Sequence, residues 1–531
     1  MSRKLAMAAV LTLAVAASCG TASSEENTMT ADVVTIDTGQ VRGTVADDHR
    51  LFQGIPYAAS TAGENRWLPP QPAASWEGVR DATRPGSPCP QVGGEYGGDD
   101  SFDEDCLFLN VTTPPESTGD KPVVIWIHGN GSIGSGDVFS ADRMAAQGDV
   151  IVVTVNYRMG VFGAFAHPEL ADSGTLGLQD QRAAMQWVQR NAAAFGGDPD
   201  NVTLFGVSFG ATAISGHLIA TESQGLFQRA IMHSGFSVMD APDGALYEDL
   251  GAMDTFGWTV DAEQRAMGEA IAAELGCVGD SDTVLECLRA KTAEELLSYP
   301  AIMNIFQSYS HGSAELPQPP ADALAAGDFA EVPVLAGSTL DEHRTFVAIR
   351  ILTGAPIEDD RYDAVLAQAF GDDAAVVAQQ YPLADYANAN EAFAQVMTDR
   401  MWAQAIMRQN ELLAAKNPVY FYEFADRNPP AEFPFPPQLE PGAYHNADIS
   451  YLLRAPEFEA ELSPEQLELS DAMIGYWSRF AWTGDPNGDG AVEWPMFGDS
   501  GYVQSLAPGE GGIGQVDFRS EHLLDFWESL G

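Results

Sequence analysis

One ten-residue stretch constrains this chain more than any other: residues 201–210 read Asn-Val-Thr-Leu-Phe-Gly-Val-Ser-Phe-Gly. Val202 to Phe205 is a short apolar run of the kind a buried strand shows, and it stops at Gly206. Ser208 then stands between Gly206 and Gly210, ahead of residues 211–220, which can open a helix. Glycine on both sides of a serine, between strand and helix, predicts a turn too tight for side chains at the flanking positions. The hydroxyl is left exposed at the sheet's edge, the setting of a nucleophile elbow. Such an elbow needs a sheet around it, and the rest of the chain supplies one. Apolar runs at 123–127, 150–155, 202–205, 332–335 and 419–424 alternate with helical stretches such as 179–194. That rhythm predicts an α/β fold with a large, mostly parallel central sheet and helices on both faces. Residues 240–330 and 350–415 break it with helix-rich segments, expected as insertions around the mouth of the site. With no internal repeat and no long low-complexity linker after residue 30, the 531 residues read as one large unit.

The formal charge is −50, from 76 acidic against 26 basic residues, only four of them lysine. Acidic residues are spread along the chain, which describes a solvated, salt-tolerant surface, consistent with a saline habitat. It argues against nucleic acid or an anionic membrane as a direct partner, because both need Lys/Arg patches. The first 18 residues have the parts of a secretory signal: Arg3 and Lys4, an apolar run over 5–17, then small residues. Cys19 follows Ala16-Ala17-Ser18, so the segment resembles a bacterial lipoprotein signal, with Cys19 as the acylated N-terminus. Ala16 stands where leucine is preferred, and simple cleavage after Ala16 is the alternative. The expected organisation is a signal over 1–18, a flexible tether over 19–32 and a single catalytic domain over 33–531. The protein is then exported, either as a cell-envelope lipoprotein or as a secreted or periplasmic one.

Two blocks lead into the elbow: Gly177-Leu-Gln-Asp-Gln-Arg-Ala-Ala-Met-Gln-Trp-Val188 and Phe195-Gly-Gly-Asp-Pro-Asp-Asn-Val-Thr203. Others precede them: Phe52-Gln-Gly-Ile-Pro-Tyr-Ala58, Arg66-Trp-Leu-Pro-Pro-Gln-Pro72, Glu104-Asp-Cys-Leu-Phe-Leu-Asn-Val111, Val124-Ile-Trp-Ile-His-Gly129 and Val155-Asn-Tyr-Arg-Met-Gly160. Tyr476-Trp-Ser-Arg-Phe-Ala-Trp-Thr-Gly-Asp-Pro-Asn487 lies far downstream. Together and in this order they resemble the type-B carboxylesterase/cholinesterase family, serine hydrolases of the α/β-hydrolase fold.

The resemblance implies a Ser-Glu-His order for acyl transfer, in which a nucleophile, a base and a group holding the base work together. Ser208 is the nucleophile. In Val332-Pro-Val-Leu-Ala-Gly-Ser-Thr-Leu-Asp-Glu342 the family's acid falls at Glu342, with Asp341 the adjacent candidate, and His343 stands where glycine is expected. In Pro441-Gly-Ala-Tyr-His-Asn-Ala-Asp448 the base is His445, the one of nine histidines that carries the local motif. Asn446 replaces the usual glycine there, and asparagine tolerates left-handed backbone, so the turn is expected to survive. The oxyanion hole is implied at the N–H groups of Phe209, Asn130 and Gly131, the last two in His128-Gly-Asn-Gly-Ser-Ile-Gly-Ser-Gly136. Asn130 replaces the middle glycine of that loop. Val207 replaces an acidic residue, so the network behind Ser208 should be less polar.

The family has disulfides at places matching Cys89/Cys106 and Cys277/Cys287, which leaves Cys19 outside both and agrees with an oxidising compartment. Arg66 with Glu104, and Arg158 with Asp180, match loop-holding ion pairs and are expected as bidentate bridges. No metal or organic cofactor is implied. The expected substrate is a small carboxylic ester with a short acyl, alkyl or aryl group, hydrolysed by a monomer or homodimer. The Cys89/Cys106 loop holds no tryptophan, only Tyr96 and Phe102, so choline esters are unsupported. Amide or thioester cleavage by the same residues is a second chemistry. A binding or adhesion module that has lost catalysis is the competing class, and an intact Ser208, Glu342 and His445 argue against it.

Overall fold

A computed structural model describes residues 32–93, 100–116, 119–431, 435–454 and 461–530. The expected signal segment, Cys19 and Tyr96 lie outside the described residues, as does the tether up to residue 31.

Eleven strands form the central sheet: β1 (Thr44–Val45), β2 (Arg50–Pro56), β3 (Phe108–Thr113), β4 (Lys121–Ile127), β5 (Ile151–Val155), β6 (Gly197–Val207), β7 (Arg229–His233), β8 (Val334–Thr339), β9 (Val419–Phe424), β10 (Val503–Leu506) and β11 (Ile513–Val516). Their spatial order is β11-β10-β9-β8-β7-β6-β4-β5-β3-β2-β1. The run from β10 to β5 is parallel throughout, and both margins are antiparallel. This is the large, mostly parallel sheet that the rhythm of the sequence predicts, and it fits the α/β-hydrolase fold that the resemblance implies.

Period-two alternation builds the two cores. In β4, Val123, Ile125 and Ile127 enter one apolar cluster, while Val124 and Trp126 enter the cluster on the opposite face. Strands covered on both faces read as unbroken apolar runs, which is why five of them were legible in the sequence. The second face is covered by the helix Pro464–Thr483, through Leu469, Met473, Ile474, Trp477 and Phe480. Full burial of such side chains contributes about 1.5–3 kcal/mol each. That helix starts at a capping box, in which Ser463 and Gln466 satisfy each other's backbone N–H, with Pro464 at its first position. It ends at Gly484, whose φ of 81° lets the chain turn away.

Strand ends follow ladder pairing more than hydrophobicity. β6 reaches back to Gly197 because Lys121 pairs with it, beyond the apolar run that begins at Val202. β8 starts after Pro333 and runs on through the polar Ser338 and Thr339, which pair with Glu423 and Phe424. The expected insertions are helical: Asp261–Glu274, Ser281–Ala290 and Pro320–Ala326 in the first, Tyr362–Phe370, Ala389–Met397 and Gln404–Ala414 in the second. The last two are joined by a π-helical turn, Thr398–Ala403. β4 has β5 on one side and β6 on the other, so the chain's strand order reverses across it. The carboxyl ends of strands at such a reversal frame a crevice where ligands of α/β sheets bind.

Candidate active site

The crevice is built first by sterics. Ser208 follows β6 at φ 54°, ψ −123°, an unusual backbone for a residue with a side chain, and the helix Phe209–Ile219 starts directly after it. Such a conformation costs about 1–3 kcal/mol and persists only where its surroundings enforce it. They do: Ser208 N–H donates to His233 O at 2.8 Å. A Cβ on Gly206 would lie 2.7 Å from the Gly210 carbonyl carbon, and one on Gly210 would lie 2.2 Å from Ile127 O. Both glycines are therefore required by the closeness of β4, β6 and the helix. Ser208 remains half-buried, at the carboxyl end of β6.

Two distant loops converge on that hydroxyl. His445 Nε2 lies 2.8 Å from Ser208 Oγ, and His445 Nδ1 lies 2.5 Å from Glu342 Oε2. Asn446, next in the chain, adopts φ 73°, the left-handed turn that asparagine accepts in place of glycine. Glu342 is wholly buried just after β8, and its other oxygen accepts from Thr339 N–H at 2.8 Å and from Ser234 Oγ at 2.5 Å. Ser234 and Thr339 were not singled out in the sequence; both sit at strand ends, and nothing local distinguishes them. Asp341, the alternative acid, accepts from Ala443 N–H at 2.9 Å and pairs with Arg344 and Arg427, each at 3.3 Å. It does not face His445 through any of these bonds.

Asn130 and Gly131 follow β4 at φ 73° and 78°, and a Cβ on Gly131 would stand 2.8 Å from the Phe209 ring. The Asn130 amide is engaged within its own loop: its Oδ1 accepts from Ser132 Oγ at 2.6 Å and Ser132 N–H at 3.2 Å. Gln307 donates to Asn130 O from outside. Among the described residues, the N–H groups of Asn130 and Phe209 make no backbone hydrogen bond, whereas Gly131 N–H donates to Gly129 O at 3.1 Å. Of the three N–H groups expected at the oxyanion, one is thus already engaged.

Behind the serine, Val207 joins Phe205, Tyr422 and Trp477 in an apolar cluster, but the network beside it is polar, against the expectation drawn from Val207. Asp448 is fully buried there, with His233 Nδ1 2.7 Å away and Tyr422 donating its hydroxyl at 2.7 Å. Burial opposes its ionisation, but His233 and Tyr422 outweigh burial and hold the carboxyl below its ordinary range. Trp477 Nε1–H donates to the other His233 nitrogen at 2.9 Å. His128, stacked on Tyr157 beneath the glycine-rich loop, is driven by burial down to about 4 and stays neutral near pH 7.

Both expected ion pairs are bidentate and buried. Arg158 donates to both Asp180 oxygens at 2.7 Å, and Arg66 holds both oxygens of Glu104. Disulfides join Cys89 to Cys106 and Cys277 to Cys287. No group of three or more His, Cys, Asp or Glu side chains among the described residues is arranged to hold a metal ion. No helix among them is long and apolar enough to cross a membrane.

Similarity to known proteins runs over most of the chain. The model of the carboxylesterase family matches residues 30–519. The chain is 34% identical over 495 residues to a para-nitrobenzyl esterase of Bacillus subtilis (strain 168), covering 88% of this chain and 93% of that protein. It is 33% identical over 532 residues to a cocaine esterase of Oryctolagus cuniculus, covering 92% and 94%. Among solved structures it is similar to a PNB esterase, with a TM-score of 0.75, 30% identity, and 93% of this chain and 99% of that one covered. A thermophilic PNB esterase matches with the same TM-score and identity, over 94% and 100%.

Proposed function

The chain belongs to the carboxylesterase family and is a carboxylic ester hydrolase, and from that premise we propose that Ser208, His445 and Glu342 carry its chemistry. The supporting observation is the continuous relay from Ser208 Oγ to His445 Nε2 at 2.8 Å and from Nδ1 to Glu342 Oε2 at 2.5 Å. A buried carboxylate facing Nδ1 keeps the proton on that nitrogen and leaves Nε2 free to accept. His445 takes the serine proton as Ser208 Oγ attacks the ester carbonyl, and returns it to the departing alcohol. The acyl-enzyme is then opened by water, which His445 deprotonates in turn. Negative charge on the carbonyl oxygen is met by the N–H groups of Phe209 and Asn130. Gly131 adds a third donor when its N–H shifts from Gly129 O toward the substrate.

The substrates are small esters with short acyl or alkyl groups, or aryl groups, in line with relatives named as para-nitrobenzyl and cocaine esterases. Two disulfides are compatible with export, and Cys19 is the site at which a lipid anchor would attach. Mass spectrometry of the native N-terminus tests the anchor: a diacylated Cys19 supports it, and an unmodified chain beginning at Ala17 rejects it. Ser208→Ala tests the chemistry itself. It should lower turnover of p-nitrophenyl acetate by on the order of 10⁶ and abolish labelling by a fluorophosphonate. A variant keeping a tenth of the native rate would overturn the assignment.

A further inference from the structure

The residue after the acid departs from the family pattern, and its surroundings give it a task. His343 is completely buried. Its backbone N–H donates to Thr398 Oγ1 at 3.0 Å, and its Nε2–H donates to Ala245 O at 3.0 Å. Its remaining nitrogen, Nδ1, accepts from the indole N–H of Trp402 at 3.2 Å. Thr398 and Trp402 both sit on the π-helical turn Thr398–Ala403, a local irregularity of the kind that recurs at functional sites. The Trp402 ring lies 4.8 Å from the His445 ring at 52°. Phe346 completes the wall, 5.3 Å from His445 at 53° and stacked on both Trp402 and His343 at 5.2 Å.

We propose that His343 is a positioning residue for His445, acting through Trp402; this rests on the reading of His445 as the base. One hydrogen bond from Nδ1 to Glu342 fixes one end of the imidazole but leaves it free to rock about that bond. Rocking carries Nε2 away from Ser208 Oγ. Contact with the Trp402 and Phe346 rings removes that freedom, and the indole can do so only while its own orientation is fixed. Its N–H is buried, so it needs an acceptor. Glycine at 343 supplies none, and His343 does. Burial drives the His343 imidazole down to about 3, so it stays neutral near pH 7 and keeps that acceptor. The base is thereby held by two neighbouring residues, Glu342 directly through its carboxylate and His343 through the Trp402 ring.

The test is a double-mutant cycle of His343→Ala and Trp402→Phe, with kcat and KM measured on p-nitrophenyl acetate and thermal melts alongside. A misplacement of about 1 Å costs on the order of 10²-fold in rate, so partial loosening should lower kcat by about tenfold in each single variant, with KM within about twofold. Because both changes break the same link, the double variant should be no slower than the slower single one. Acylation by a fluorophosphonate should slow in step with kcat. If the two losses multiply, if KM rises with kcat intact, or if only the melting temperature falls, the proposal is wrong. Should His343→Ala fail to fold, Trp402→Phe decides alone, since it keeps a ring and deletes the N–H. Ser208→Ala and His445→Ala separate the two readings. Activity surviving in those variants rejects the triad; their inactivity beside unaffected His343 and Trp402 variants rejects only the positioning role.

Discussion

Replacing Glu342 by glutamine should be among the most damaging isosteric changes in this protein, for a reason visible in its hydrogen bonds. Glu342 Oε1 accepts from Thr339 N–H and Ser234 Oγ, while Oε2 faces His445 Nδ1. The backbone N–H of Thr339 can only donate, so the amide oxygen of a glutamine must take the Oε1 place. Its NH2 is then left pointing at His445 Nδ1, which must accept. The imidazole is forced into the tautomer with its proton on Nε2, where it cannot take a proton from Ser208. The amide also cannot stabilise an imidazolium in a wholly buried site. The equivalent change in chymotrypsin-type proteases costs about 10⁴ in turnover, or roughly 5.5 kcal/mol of barrier. We expect a loss of that order in kcat on p-nitrophenyl acetate, with little change in the melting temperature. Asp341→Asn is the control. Its carboxylate is occupied by Arg344, Arg427 and the Ala443 N–H, so the change should lower stability and leave kcat within about fivefold. A Glu342→Gln variant retaining more than a hundredth of native kcat, or a larger loss at Asp341, would refute the reasoning.

Gly210→Ala should cost about 3 kcal/mol or more, or give insoluble protein, because its Cβ would lie 2.2 Å from Ile127 O. Gly251→Ala, with nothing within 4 Å, should melt like the native protein, and equal melts for the two would contradict the elbow sterics. His522 is buried, which alone would lower its pKa, but Asp399 and Glu423, each at 2.6 Å, outweigh burial and push it up to about 10. A raised folded-state pKa contributes stability that is fully present below the ordinary value near 6.5 and is lost as pH rises toward about 10. The gap in melting temperature between native protein and His522→Gln should therefore shrink from pH 6 to pH 10, and a constant gap would count against the buried cation. Opening the Cys277–Cys287 bond with a Cys277→Ser/Cys287→Ser pair should destabilise by about 3 kcal/mol in denaturant titrations, since the bond closes a short loop. No change in midpoint would mean that the loop is held by its packing alone.

The sequence by itself determined whatever depends on neighbours along the chain. The elbow was legible because Gly206, Ser208 and Gly210 sit within five positions, and strand-to-helix sterics admit few other residues there. Strands β4, β5 and β9 were legible as apolar runs because both sheet faces are covered, and Ser463, Pro464, Gln466 and Gly484 mark the ends of their helix as local chemistry. Family resemblance, not periodicity, singled out Glu342 and His445, since a lone carboxylate or imidazole has no local signature. Only the tertiary structure decided how these pieces meet. His445 reaches Ser208 across 237 residues and Glu342 across 103, distances bridged by strand order in the sheet. The same folding set Ser234 and Thr339 on the acid, turned Asp341 toward two arginines, and directed Gly131 N–H to Gly129 O. It also placed Trp402 between His343 and His445. Such contacts depend on which strands lie side by side and in what register, and no pattern within a stretch of sequence records that.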